Sequence, residues 1–200
     1  MLTVACVLRR SPDYDEDYVH RLAVGVHDWL SVPYNFVCLS DKPVPGVETI
    51  ELEHEWPGWW AKLELFKLEP PVIYFDLDTM ITGSLDELAG VALLHPFVIL
   101  RDFYREKGLQ SAMMAWHSPQ RRLYEDFRDW DEHWQQKLGK RGDQAFLEEK
   151  LKGAPAKWQD VLPGQVCSYK VHVKNKGVPQ NCRVVCFHGR PKPRDVAWTI

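Results

Sequence analysis

Apolar runs and amphipathic stretches alternate along the first part of the chain. The run TVACVL (3–8) predicts a buried strand, and DEDYVHRLAVGVHDWL (15–30) carries apolar residues at helical spacing. Two further strands are predicted over 34–40 and 47–52, on either side of a proline-rich turn. A helix is predicted over 58–68, where a double proline ends it. A strand followed by a helix and another strand is typical of an α/β fold.

The run VIYFDLD (72–78) is apolar at every position before its first aspartate, which indicates a strand covered on both faces. The alternation then continues to the end of the chain. The remaining predicted elements are a helix over 84–90, strands over 96–102 and 109–117, a long helix from a Ser118-Pro119 cap to about Leu138, a short helix over 143–151, strands within 160–171 and 182–189, and an irregular tail over 190–200.

Length and composition favour one domain. The chain has 200 residues, 45% of them hydrophobic, and no repeat or low-complexity linker interrupts the pattern. We therefore expect a single α/β domain over residues 1–200, with a central mixed, mainly parallel sheet flanked by helices.

Charge and cysteine usage narrow the class of protein. The net charge of −3 is spread along the chain, so no nucleic-acid partner or anionic membrane surface is predicted. The first residues, MLTVACVLRR, fit a strand better than a signal peptide or an integral membrane segment. The five cysteines are interpreted as reduced core thiols of a cytoplasmic protein, and a zinc site on them is disfavoured: Cys6, Cys38, Cys167, Cys182 and Cys186.

Tryptophan is frequent, with nine residues in the chain. Three of them, Trp56, Trp59 and Trp60, fall in the segment EWPGWW. Such a cluster can be core, an interface, or a surface on which a sugar ring stacks. Ordinary core packing is the favoured interpretation.

Two aspartates follow the apolar run directly. Open α/β sheets bind ligands at the carboxyl ends of their strands, which is where Asp76 and Asp78 are predicted to lie. If the extended backbone continued, both carboxylates would point to one side and their repulsion would favour a shared cation. Mn²⁺ or Mg²⁺ would suit such oxygen ligands. The alternative is that both acids cap the next turn and face water.

A second polar element ends a later strand, in VVCFHGRPKP. His188 could complete a Mn²⁺ site, Gly189 allows an unusual turn, and Lys192 could neutralise phosphate oxygens. The alternative for His188 is a packed polar residue at a strand end.

Three segments taken in order, WWAKLELFKLEPPVIYFDLDTMITGSLDEL, RGDQAFL and FHGRPKP, resemble the retaining glycosyltransferases of family 8 and their relatives with a GT-A fold. The resemblance covers most of the chain. It implies a GT-A-like, Rossmann-related domain that transfers a sugar from a nucleotide-sugar donor to a hydroxyl of a glycan or other acceptor. In this family the donor is usually a UDP-sugar. In that group the Asp-x-Asp and His-Gly-x-x-Lys-Pro elements hold a divalent ion and the donor diphosphate.

Carried over by position, the resemblance implies a role for each of several residues. The implied metal ligands are Asp76, Asp78 and His188, and the implied diphosphate contacts are Lys192 and the adjoining Gly189. The implied catalytic residues are Asp143 and Gln144, which lie beside the donor sugar in that group, and Lys62 is implied to touch the donor. The residues implied near the nucleoside are Val7, Leu8, Arg9 and Asp41. The alternatives without a functional role are a solvated helix lysine for Lys62 and capping of the helix N-terminus for Asp143 and Gln144.

The chain also departs from the group. It reads LQSAMMAW where related enzymes often carry an Asn-x-Gly type turn, so Gln110 and Ser111 would have to line the sugar pocket. The identity of the sugar, the acceptor and the oligomeric state therefore stay open. Two other functions also stay open. One is a non-catalytic nucleotide-binding or carbohydrate-binding module. The other is a haloacid-dehalogenase-like phosphatase, although Met80 stands where that family's motif has threonine.

Overall fold

The structure, a computed structural model, describes residues 1–151 and 155–196. Within them the chain forms ten strands: β1 (Leu2–Leu8), β2 (Tyr34–Ser40), β3 (Glu48–Glu51), β4 (Val72–Phe75), β5 (Thr79–Ile81), β6 (Val98–Arg101), β7 (Leu109–Trp116), β8 (Ala156–Lys157), β9 (Val166–Ser168) and β10 (Val184–Cys186). The same residues contain six α-helices: α1 (Glu16–Trp29), α2 (Asp86–Leu94), α3 (Arg121–Arg128), α4 (Asp131–Leu138), α5 (Gly142–Lys150) and α6 (Trp158–Val161). Shorter-period helices cover Gly58–Lys67, Gly139–Arg141 and Pro193–Asp195, and a π-helix covers Tyr169–Val173.

Seven of the strands form the central sheet, in the order β3-β2-β1-β4-β7-β6-β8. The pairs β1–β2, β2–β3, β1–β4 and β6–β8 are parallel, whereas β7 runs antiparallel to both β4 and β6. The predicted fold class, an α/β fold with a mixed and mainly parallel sheet, is therefore confirmed.

Both faces of this sheet are covered. In β1, Val4 and Cys6 point into a core shared with Leu22 of α1, and Ala5 points into a second core shared with Phe66. Full burial of a large apolar side chain contributes about 1.5 to 3 kcal/mol, so two such layers account for much of the stability. The apolar character of β4 at every position, and of β1 at every position except Thr3, follows from this double cover.

A second, smaller sheet holds part of the candidate site. It has the order β5-β10-β9, with β10 antiparallel to β5 and parallel to β9. Because β5 begins directly after Asp78 and β10 ends shortly before His188, this sheet brings the two predicted polar elements together.

Several predicted elements were wrong in extent or type. The helix predicted over 58–68 is a 3₁₀ helix over Gly58–Lys67, and the strand predicted over 72–78 ends at Phe75. The region 160–171 contains a short helix, a three-residue strand and the start of a π-helix rather than one long strand. Strands β5 and β8 were not predicted. In the tail, residues 193–195 form a 3₁₀ turn, and residues 197–200 lie outside the described residues.

The long helix predicted from Ser118 is two helices, α3 and α4. The first begins at Arg121 after Gln120, so Ser118 is not its cap. The second starts anew because Trp130 leaves the helical region, with φ −143°. Asp131, the next residue, accepts a hydrogen bond from Trp56 Nε1 at 2.7 Å, a tertiary contact that fixes the second helix in a new direction.

All five cysteines lie in the described part of the chain, where they are buried, free thiols. Among the described residues, no helix combines the length and the apolar character needed to cross a membrane.

Candidate functional site

A cleft of about 610 Å³ opens at the carboxyl ends of β1 and β4. Its walls come from six parts of the chain: the segment after β1, the 3₁₀ helix over Gly58–Lys67, the turn after β4, the start of β7, residues 140–144 around the start of α5, and the segment after β10. This is the edge of an open α/β sheet where ligands bind.

A tight turn carries the two aspartates into the cleft. The backbone N–H of Asp76 donates to Ala112 O at 2.8 Å, and that of Thr79 donates to Asp76 O at 3.0 Å. Residues 77 and 78 form a turn after β4 ends at Phe75, so the extended geometry considered for this motif does not persist. Asp76 and Asp78 consequently have different partners.

Asp76 belongs to a buried cluster around Lys62. The Lys62 ammonium lies 2.9 Å from Asp76 Oδ1 and 3.2 Å from Asp143 Oδ2, and it donates to Ser111 Oγ at 3.1 Å. Ser111 Oγ donates to Asp143 Oδ2 at 2.6 Å, and the Tyr74 hydroxyl donates to Asp76 Oδ1. Lys62 is only 7% exposed, so the alternative of a solvated helix lysine is wrong. Burial lowers the pKa of Lys62, but the two carboxylates outweigh burial and raise that pKa above its ordinary value.

Asp78 forms a separate cluster with Lys192. Lys192 Nζ lies 2.6 Å from Asp78 Oδ2, and Tyr14 donates its hydroxyl to the same oxygen at 2.8 Å. Burial raises the pKa of Asp78, the nearby Asp76 raises it further, and Lys192 only partly opposes both effects. Sequence reasoning missed Tyr14, which follows β1 in a loop whose pattern gives no sign of this contact.

His188 and Gly189 line the cleft from the segment that follows β10. The imidazole Nε2 of His188 is 2.7 Å from Ser168 Oγ, and its ring stacks on Phe103 with centroids 5.7 Å apart. Burial, followed by the charge of Lys170, lowers the pKa of His188, which favours a neutral ring. Gly189 lies in the left-handed region with φ +69°, as the predicted turn requires.

The carboxylate oxygens of Asp76 and Asp78 and the imidazole of His188 are of the chemical types that bind Mn²⁺. Within the described residues, Asp76 Oδ2 and Asp78 Oδ1 accept no hydrogen bond, and both side chains line the cleft. His188 lines the same cleft, and its Nε2 contact with Ser168 Oγ is the kind of outer hydrogen bond that orients metal-binding histidines. Across residues 1–151 and 155–196, however, no group of three or more His, Cys, Asp or Glu side chains is placed so as to hold a metal. The metal site stays a prediction.

Asp143 and Gln144 lie at the start of α5. Asp143 is 5% exposed and its carboxylate is bound by Lys62 and Ser111, so helix capping does not explain it. Gln144 Nε2 donates to Asp102 Oδ2 at 2.9 Å. Both residues line the cleft, as does Gln110.

The residues predicted near the nucleoside divide into two groups. Val7 and Arg9 line the cleft, whereas Leu8 is fully buried in the core and cannot offer its side chain to a ligand there. Asp41 does not line the cleft, but it lies 2.9 Å from Nη1 of Arg10, which does. Arg10 was not singled out from the sequence, although it directly follows Arg9 at the strand end.

Comparisons with known proteins support the fold. No protein-family model matches the sequence, and no curated protein sequence matches it. Among solved structures, the chain is similar to the galactosyltransferase LgtC in complex with donor and acceptor sugar analogs, with a TM-score of 0.66, 15% identity, and coverage of 96% of this chain and 89% of LgtC. It is also similar to the glycosyltransferase GlyE of Streptococcus pneumoniae TIGR4, with a TM-score of 0.66 and 12% identity.

The match to GlyE covers 99% of this chain but only 57% of that protein, so the chain spans little more than half of GlyE. At these identities the likeness concerns the fold. The chain has the fold of glycosyltransferases, and the GT-A-like architecture that the sequence motifs implied is confirmed.

Proposed function

We propose that the chain is a metal-dependent glycosyltransferase that moves a sugar from a UDP-sugar to an acceptor hydroxyl, with retention at the anomeric carbon. One observation carries the proposal: Asp76 and Asp78 enter one cleft, and each is held by a different buried lysine. Such a cleft offers two carboxylates to a cation and an ammonium to a phosphate. A nucleoside diphosphate that binds together with a divalent ion requires both the ligands for the ion and the positive charge beside the phosphates.

Lys192 is the proposed diphosphate contact. It is 6% exposed and points into the cleft, where Asp78 and Tyr14 hold its ammonium. A buried ammonium beside a leaving diphosphate stabilises the charge that develops as the glycosidic bond breaks. A divalent ion held by Asp76, Asp78 and His188 would supply a Lewis acid acting on the same charge.

Lys192 can release Asp78 only if that carboxylate receives another cation. Leaving a buried carboxylate without a counter-charge costs about 3 to 5 kcal/mol. The diphosphate and the ion are therefore expected to bind together, because Lys192 then exchanges Asp78 for phosphate oxygens while every buried charge keeps a partner.

The donor sugar is proposed to lie against Asp143 and Gln144. Lys62 and Ser111 fix the Asp143 carboxylate, so its negative charge is held in one place beside the cleft. A fixed carboxylate stabilises the positive charge that the anomeric carbon gains as the leaving group departs. Gln144 offers an amide that can orient sugar hydroxyls. For retention, the acceptor hydroxyl attacks from the face that the diphosphate leaves.

The replacement Asp78→Asn tests this assignment. The wild-type protein should bind UDP much more tightly with Mn²⁺ than without it and should release UDP from UDP-glucose or UDP-galactose. The variant should lose the Mn²⁺-dependent gain and turnover, while its metal-free affinity for UDP should rise because Lys192 is no longer held by a carboxylate. Isothermal titration and a UDP-release assay measure these quantities.

Asp126→Asn is a matched control, because Asp126 is also paired with a lysine, Lys150, at 2.9 Å but lies away from the cleft. Mn²⁺-dependent turnover that survives Asp78→Asn would reject the proposal. UDP-sugar binding without any UDP release would indicate a binding module, and hydrolysis of p-nitrophenyl phosphate with Mg²⁺ would indicate a phosphatase.

A further inference from the structure

The three tryptophans of EWPGWW have different surroundings. Trp56 is 4% exposed and stacks on His54, and Trp60 is 5% exposed and stacks on Phe127. Trp59 is 49% exposed and lines the cleft. Core packing therefore accounts for Trp56 and Trp60 but does not explain why a tryptophan stands at position 59, where the indole is half exposed.

The position of Trp59 follows from the 3₁₀ geometry of its helix. In such a helix, residues i and i+3 lie above one another. Trp59 and Lys62 are three apart, so both lie on the edge that faces the cleft. Since Lys62 binds Asp143, the indole lies on the side of the proposed sugar pocket rather than beside Val7 and Arg9 at the proposed nucleoside end.

A glycine on the neighbouring helix leaves room for this indole. Gly142 has φ +63°, and a Cβ added to it would lie only 2.4 Å from Trp59 Nε1. A side chain at position 142 would displace the indole. The backbone that carries Asp143 and Gln144 is thus in direct contact with Trp59, which keeps the exposed ring next to those residues.

A second cavity of about 390 Å³ continues outward from this place. It shares Lys140, Arg141 and Gln144 with the main cleft. A ligand that occupies the main cleft at the sugar end can therefore extend past Gln144 into a space lined with hydrogen-bonding side chains. An acceptor has to approach the donor sugar by such an open path.

We propose that Trp59 is the stacking surface for a pyranose ring of the acceptor, which makes the acceptor a carbohydrate. The inference rests on the proposed function. An indole face binds the apolar C–H face of a sugar, and the polar side chains of the second cavity bind its hydroxyls. Trp59 is a specificity residue in this scheme, because it contacts the acceptor and not the bond that breaks.

The test compares Trp59→Ala and Trp59→Phe with Trp130→Ala, a control that removes an exposed tryptophan outside both cavities. Saturation-transfer NMR is recorded on methyl α- and β-pyranosides of glucose, galactose and mannose in the presence of UDP and Mg²⁺, because paramagnetic Mn²⁺ would broaden the ligand signals. The wild-type and Trp130→Ala proteins should transfer saturation to the ring C–H protons of at least one glycoside. Trp59→Ala should weaken that glycoside's binding by about tenfold or more, and Trp59→Phe by less.

UDP affinity with Mn²⁺ is measured on each variant and should stay at the wild-type value. Melting temperature is measured as well, to verify that each variant is folded under the conditions of the binding assay. If no glycoside binds the wild-type protein, or if Trp59→Ala binds it as well as wild type does, the inference is wrong. A loss of UDP affinity in Trp59→Ala would also overturn it, because the indole would then contact the nucleotide. Failure of the proposed function is separate, since it appears as absent UDP binding and absent UDP release in the wild-type protein.

Discussion

Replacement of Lys62 by methionine tests the charge arrangement of the cleft most directly. The substitution keeps an unbranched side chain of similar length and removes only the ammonium. Lys62 is 7% exposed, and it is the cation that contacts both Asp76 and Asp143. Asp143 itself is 5% exposed, so the substitution leaves a buried carboxylate without its counter-charge.

The expected loss of stability is large. Breaking a buried ion pair by removing one partner costs about 3 to 5 kcal/mol, whereas an exposed pair contributes about 0 to 1 kcal/mol. For a domain of this size, 1 kcal/mol corresponds to roughly 2 to 4 °C in Tm. Lys62→Met should therefore lower Tm by about 6 to 20 °C at neutral pH.

The sign of the pH dependence follows from linkage. In the wild-type protein the pKa of Lys62 is raised on folding, so its contribution is fully present below the unfolded pKa and is lost only at strongly alkaline pH. In the variant, a buried carboxylate stands without its counter-charge, and burial disfavours the charged form of a carboxyl group. The folded variant then binds protons more readily than the unfolded chain, so the stability difference from wild type should shrink as the pH falls from 7 to 4.

Thermal and guanidinium unfolding at several pH values measure these effects. Lys137→Met is the matched control, because its ammonium lies 2.6 Å from Glu149 but its side chain is 44% exposed. The control should change the free energy of unfolding by about 1 kcal/mol or less. If Lys62→Met is no more destabilising than Lys137→Met, or if its deficit grows on acidification, the cluster around Lys62 does not have the electrostatic role described above.

Two further substitutions test other parts of the structure. In Gly142→Ala, the alanine would have to adopt the left-handed φ of the glycine, and its Cβ would lie 2.4 Å from Trp59 Nε1. The substitution should therefore lower the free energy of unfolding by about 1 to 3 kcal/mol and weaken glycoside binding in the NMR assay. Unchanged stability and unchanged glycoside binding would contradict the close approach of the indole to position 142. Glu64→Gln should cost about 2 to 3 kcal/mol in guanidinium unfolding, because the fully buried carboxylate accepts the backbone N–H groups of Glu53 and His54 and is paired with Lys67 at 2.7 Å. A loss below about 0.5 kcal/mol would show that these two hydrogen bonds tolerate a neutral acceptor.

Hydrophobic patterning predicted six of the seven strands of the central sheet, because each of the six is an apolar run with clear turn residues on either side; the two-residue β8 was not predicted. In the second sheet, β10 lies within a predicted strand and β9 within a region predicted to contain strands, but their bounds were not predicted and β5 was missed. Strands β5 and β9 have three residues each, too few to show a period, and β5 begins at Thr79, directly after the polar end of the aspartate motif. The break between α3 and α4 was hidden because it depends on the contact of Asp131 with Trp56 across the core.

Candidate site residues that follow a strand could be predicted from the sequence. Residues that reach the cleft only through tertiary contacts could not. Asp76, His188 and Lys192 were recognisable from their places after apolar runs and from the family resemblance. Tyr14 lies in a loop whose sequence is typical of a solvated turn, although its hydroxyl joins Lys192 at the buried carboxylate of Asp78. No local pattern encodes that convergence.

The aspartate motif has a different structural basis from the one that strand geometry suggests. Asp76 follows β4 of the large sheet and Asp78 precedes β5 of the small sheet, so the two acids stand where the chain crosses from one sheet to the other. The crossing is fixed at three points: Asp76 O accepts from Thr79 N, Leu77 O from Arg21 Nη2, and Asp78 O from Phe187 N. A ligand that binds both carboxylates therefore contacts both sheets at once, and its affinity depends on their packing as well as on the two side chains. Mutations in the small sheet far from the cleft should on this account weaken ligand binding along with stability.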